Sequence, residues 1–117
     1  MLENLMVDIV GPLVGGRVFP DSAAGDTKLP FVIYQKVGGV DPVFLDGTLP
    51  DKENARVQVV VWARKRTEAS TLMRQIKETL CGAPTLAQPA GPAVSRSDDV
   101  TKFLGSQQDF SIWYSPS

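Results

Sequence analysis

The sequence contains no histidine, and that absence removes more chemistry than any other of its features. Without an imidazole there is no Ser–His or Cys–His nucleophile pair, no histidine general base and none of the commonest metal ligand. Cys81 is the only cysteine, which leaves no internal disulfide and no cysteine zinc site. Its place at the end of a helical pattern reads as a small buried or semi-buried hydrophobe, and an unpaired thiol leaves the redox compartment undetermined, with the cytoplasm favoured. No uninterrupted apolar run approaches the ~18 residues of a membrane-spanning helix. The opening MLENLMVDIV carries Glu3 and Asp8 with no leading basic residue, so it does not read as a secretory signal. A net charge of −1 gives no global basic field for nucleic acid or an anionic membrane.

What is present is the material of one globular domain over residues 1–117, with a core large enough to stand without staples. The charge is distributed unevenly. Residues 1–54 hold 4 Lys/Arg against 8 Asp/Glu, a net of −4, whereas residues 55–81 hold 6 against 2, a net of +4. An acidic front half beside a basic middle suits a partner or a second copy of the chain.

Leu2, Leu5, Met6, Ile9 and Leu13 recur at helical spacing, predicting a short amphipathic helix that Gly11-Pro12 interrupts. Gly15-Gly16 reads as a turn that returns Val18 and Phe19 to the core. A phosphate-cradling loop would need a preceding strand and a following helix, which this stretch lacks. Residues 30–37 are rich in β-branched and aromatic residues and predict a strand. Residues 38–54, full of Gly, Pro and Asp, read as a flexible functional loop or an extended hairpin tipped by Asp46-Gly47. Asp41, Asp46, Asp51 and Glu53 lack the alternate-residue spacing of a calcium loop and read as a solvated acidic loop.

Residues 55–63 predict a strand with apolar residues on both faces: Val57, Val59 and Val61 on one, Val60 and Trp62 on the other. Arg64-Lys65-Arg66 follows, read as a solvated corner or protein contact ahead of phosphate contact. A helix over 67–81 comes next, with Thr67 as N-cap and a stripe of Ala69, Leu72, Met73, Ile76 and Leu80. Residues 93–100 and 107–114 predict two further strands around a turn near Gly105. Asp98-Asp99 makes a poor catalytic pair, because neighbours on a strand face opposite ways. The fold class is therefore α+β, an antiparallel four-stranded sheet with two helices packed on it, without an evident active site, metal site or cofactor site.

Three stretches, LVGGRVFPD, LPFVIYQKVGG and RVQVVVWARKRTEASTLMRQIKETL, stand in an order and spacing that resembles the tail-terminator, or tail-completion, proteins of long-tailed bacteriophages and prophages. DFSIWY at 109–114 fits that family's last strand, and the resemblance runs over about residues 2 to 114. Each stretch alone is a weak signal; their joint order is more specific. The chain departs from the usual pattern in its short, interrupted first helix. The resemblance implies a non-enzymatic structural protein that forms a ring, usually a hexamer, on the head-proximal end of the tail tube, although the free protein is compatible with a monomer. It implies the major tail-tube protein and a head connector or stopper as partners, with DNA passing through the ring unread and no membrane involved. The implied location is the host cytoplasm during assembly and the virion tail afterwards. The rival readings are a head–tail connector or stopper, and a small-molecule-binding regulatory α+β domain.

The strand with two apolar faces needs two covers. The stripe of Leu72, Ile76 and Leu80 covers one. The second cover is either a neighbouring subunit or, within the chain, the first helix and the 82–92 loop. On the subunit reading, the candidate interface residues are Asp46, Asp51 and Glu53 of the acidic loop, Arg64, Lys65 and Arg66 of the basic corner, and Trp62 and Trp113.

Overall fold

The computed structural model describes residues 1–41, 45, 47 and 51–115. Its elements, in chain order, are α1 (Leu2–Val10) running into a 3₁₀ turn (Gly11–Val14), β1 (Val18–Pro20), β2 (Phe31–Gly38), β3 (Glu53–Ala63), α2 (Arg66–Cys81), β4 (Gln88–Pro89), β5 (Val94–Ser97) and β6 (Leu104–Tyr114). The fold is α+β with two helices. The sheet, however, is mixed and six-stranded, where the sequence predicted four antiparallel strands. Its order is β1-β2-β3-β6-β4, with β5 also paired to β6.

Two departures explain the difference. β1 runs parallel to β2, with Val18 opposite Val32 and Pro20 opposite Tyr34. The edge beyond β6 is made from two short pieces, β4 and β5, in place of one strand over 93–100. β1 and β4 each carry a proline, Pro20 and Pro89, which lacks the donor an interior strand must supply and so belongs at a sheet margin. Short, proline-bearing edges also present little unpaired backbone to a stray strand.

The centre of the sheet is the long antiparallel pair β3–β6, in register from Glu53 opposite Tyr114 to Ala63 opposite Leu104. Period-2 alternation on β3 sends Val57, Val59 and Val61 to one face, where all three are fully buried. That face receives both helices. Met6 and Val10 of α1 and Met73, Ile76 and Leu80 of α2 join the same core cluster as these valines and Phe110 and Ile112 of β6. Each such large apolar side chain, fully withdrawn from water, contributes about 1.5–3 kcal/mol. The predicted stripe on α2 thus packs where its spacing placed it. The first helix joins the same face.

Several boundaries differ from expectation. The N-cap of α2 is Lys65, in extended conformation, and Thr67 lies inside the helix. Glu68 accepts a 3.4 Å bond from the backbone N–H of Arg64, placing its carboxylate at the positive helix end. Asp98 and Asp99 lie in a turn after β5 and not on a strand. That turn over 98–102 is built on the Asp98 side chain, which accepts from the N–H groups of Val100 at 2.9 Å and Thr101 at 3.3 Å. Gly105 is consequently inside β6 and not the turn residue. Of the 38–54 loop, Gly38 belongs to β2 and Glu53 and Asn54 belong to β3. Asp46 lies outside the described residues. Asn54 is buried and anchors the returning chain: its Oδ1 accepts from Val40 N–H at 3.0 Å and its Nδ2 donates to Ser111 Oγ at 3.0 Å.

Candidate functional site

The second face of the sheet carries the remaining β3 side chains. Register places Phe31, Ile33 and Gln35 of β2 beside Trp62, Val60 and Gln58, and Gly105, Gln107 and Asp109 of β6 on their other side. At the Trp62 end the chain covers this face with its own loops. Phe103 packs edge-on against Phe31, with ring centroids 6.2 Å apart, and Ala23, Ala24 and Gly25 line the same hollow as Trp62 and Ile33. Val60 and Phe31 are buried there, whereas Ile33 and Trp62 are half-buried. Towards the other end the face becomes polar, and Arg56 bridges to Asp109 at 3.0 Å. The first helix does not cover this face, since it packs on the opposite one; Ala87 of the 82–92 loop joins that same opposite core.

The candidate residues separate into distinct groups. Trp62 faces the backbone of Gly105, and the guanidinium of Arg96 stands 5.8 Å from its ring centroid, a cation–π contact. Arg66 turns inward. It donates to the carbonyls of Gly105 and, at 2.8 Å, of Arg96, so it ties the start of α2 to β5 and β6. Arg64 and Lys65 remain exposed. The basic triplet is therefore not one patch: its third member is structural cement.

Register then gathers cations that are far apart in sequence. Leu29 leads into Phe31, Arg64 follows Ala63, and Lys102 precedes Leu104, so all three chain ends meet at one end of the sheet. Lys28, Arg64 and Lys102 line one hollow of about 690 Å³, with Asp26 as the carboxylate on its wall. No local signal in the sequence marks Lys28 or Lys102, because only the strand pairing brings them to Arg64.

The opposite end of the sheet is acidic. Asp41 and Asp51 are exposed there. Glu53 accepts a 3.1 Å bond from the Tyr114 hydroxyl, which Lys36 approaches at 3.5 Å. Glu3 and Asp21 share a groove with these residues and with Tyr34. Burial, followed by the nearby carboxylates of Glu3 and Asp21, pushes the Tyr34 phenol above its ordinary range. Trp113 is 46% exposed and borders a shallow depression with Leu5, Ile9 and Pro84.

Among the described residues no group of three or more histidine, cysteine or carboxylate side chains gathers to hold a metal, and no helix is long and apolar enough to cross a membrane. The described surface thus has charged ends, an exposed tryptophan and a sheet face that the chain covers in part. The chain belongs to the tail completion protein gp17 family, whose model matches residues 5–115. It is thereby a component of phage tail completion. A comparison with curated proteins gives no match.

Proposed function

We propose that the protein is a structural tail terminator. Copies assemble as a ring, a hexamer in the usual architecture of such proteins, on the head-proximal end of the tail tube. The ring stops further addition of tube subunits and offers the surface to which the head connector or stopper joins. DNA passes through it without sequence recognition. The protein acts in the host cytoplasm during assembly and remains in the virion tail, without catalysis or cofactor.

The observation that carries this reading is the family match over residues 5–115. The shape of the sheet supports it. A ring repeats one heterologous contact, in which two different patches of the same chain meet. Opposite charge at the two ends of β3, with Asp51 and Glu53 at one end and Arg64 and Lys65 at the other, provides two such patches. Trp62 and Trp113 supply apolar area near the ends of the same central pair.

Removing the protein from an assembling phage tests the reading. Tails should then grow beyond their normal length or fail to join heads, and adding the protein back should restore both. Normal-length tails joined to heads in its absence would contradict it.

A further inference from the structure

The geometry points to a carboxylate-receiving socket, lined by Lys28, Arg64 and Lys102, that takes Asp41 and Asp51 of a second copy of this chain. The inference rests on the assembly reading above and specifies its contact.

Three cations from three separate segments share this hollow, and the carboxylate on its wall is that of Asp26. None of the three cationic side chains has a hydrogen-bond or ion-pair partner among the described residues. Asp98, in the adjoining turn, is committed to the N–H groups of Val100 and Thr101. Three cations against one carboxylate leave the hollow net positive, which favours the entry of a further anion.

The chain carries a net anionic surface, with Lys52 between Asp51 and Glu53, out of its own hollow's reach. Asp41 and Asp51 are exposed beyond the Gly38/Glu53 end of the β2–β3 pair, whereas the hollow lies beyond the Phe31/Trp62 end. β3 spans 11 residues between them, roughly 33 Å at ~3.3 Å per step. Exposed charges are screened over about 8 Å at physiological salt, so the two ends do not satisfy each other within one copy. Between copies they meet end to end, and that head-to-tail contact is the heterologous kind that closes a ring. Nucleic acid is the weaker fit. A phosphate track asks for cations spread along a stripe, whereas these three converge on one hollow in a chain of net charge −1.

The test is a charge swap, read as capped tubes by negative-stain microscopy of purified protein added to tail tubes. One variant carries Lys28→Glu and Arg64→Glu; a second carries Asp41→Lys and Asp51→Lys; a third carries all four. Lys102 has a positive φ of 65°, so it is changed separately to Asn, which tolerates that conformation. Every site is exposed, and circular dichroism with thermal melts confirms that each variant is folded. Each double variant should lose capping, and the quadruple variant should regain it. Lys102→Asn should weaken capping as salt rises. Capping by both doubles at the wild-type level would overturn the socket and leave the assembly reading standing. A quadruple variant as defective as the worse double would also overturn it. Normal capping with failed DNA delivery would overturn it in favour of a nucleic-acid contact. Failure of the unaltered protein to engage tubes at all would remove the assembly reading and the socket together.

Discussion

Trp62 of β3 lies directly opposite Gly105 of β6, and a methyl group at Gly105 would come within 2.8 Å of the indole ring and 3.0 Å of the Val61 carbonyl. The glycine is thus a packing residue. The ring rests on bare backbone near one end of the central β3–β6 pair, with Arg96 beside it.

Gly105→Ala should therefore overpack this site and destabilise the protein by about 1–3 kcal/mol. Both the ring and the carbonyl belong to rigid neighbours, so relaxation offers little relief. Chemical denaturation measures the loss, and the indole fluorescence of the folded variant should shift as Trp62 is displaced. An unchanged midpoint would mean that the ring swings aside freely.

Arg66 should behave unlike its two basic neighbours. Its guanidinium donates to the Gly105 and Arg96 carbonyls across the join of α2, β5 and β6. Hydrogen bonds of charged donors contribute about 1.5–3 kcal/mol, and Arg66→Ala should lower stability by roughly that amount. Amide exchange in β5 should accelerate at the same time. Arg64→Ala should leave both measurements nearly unchanged, because that side chain is exposed. Equal effects from the two substitutions would refute the division of the triplet.

The turn over 98–102 should be acid-sensitive. Hydrogen bonds from the N–H groups of Val100 and Thr101 hold the Asp98 carboxyl below its ordinary value of 3.8. A depressed folded value means that the contribution is present above the ordinary value and lost as pH falls through the folded one. In an NMR titration Asp98 should protonate below the ordinary aspartate value, and the Val100 and Thr101 amides should shift with it. Titration at or above the ordinary value would contradict the turn geometry.

How much of this was readable in the sequence depends on how local each signal is. The stripe of Met73, Ile76 and Leu80 and the alternation of Val57, Val59 and Val61 are periodic over many residues, and both elements form and pack as their spacing implies. β1 is three residues long, too short for a period, and its parallel pairing with β2 depends on a partner fourteen positions away. Gly105 misled because glycine commonly marks turns; its reason for being glycine is Trp62, which is distant in sequence and adjacent in space. Arg64, Lys65 and Arg66 look equivalent in a row. The helix start separates them, turning one guanidinium onto carbonyls 30 and 39 positions later. Lys28 and Lys102 join Arg64 solely through strand register, which sequence spacing does not reveal.

The most direct test of the assembly account is electron microscopy of growing tail tubes with and without the purified protein. The account predicts extra density confined to one tube end, shaped as a ring, and tubes that stop lengthening once it is present. Tubes that keep growing from both ends, or protein found along their sides and at neither end, would contradict it.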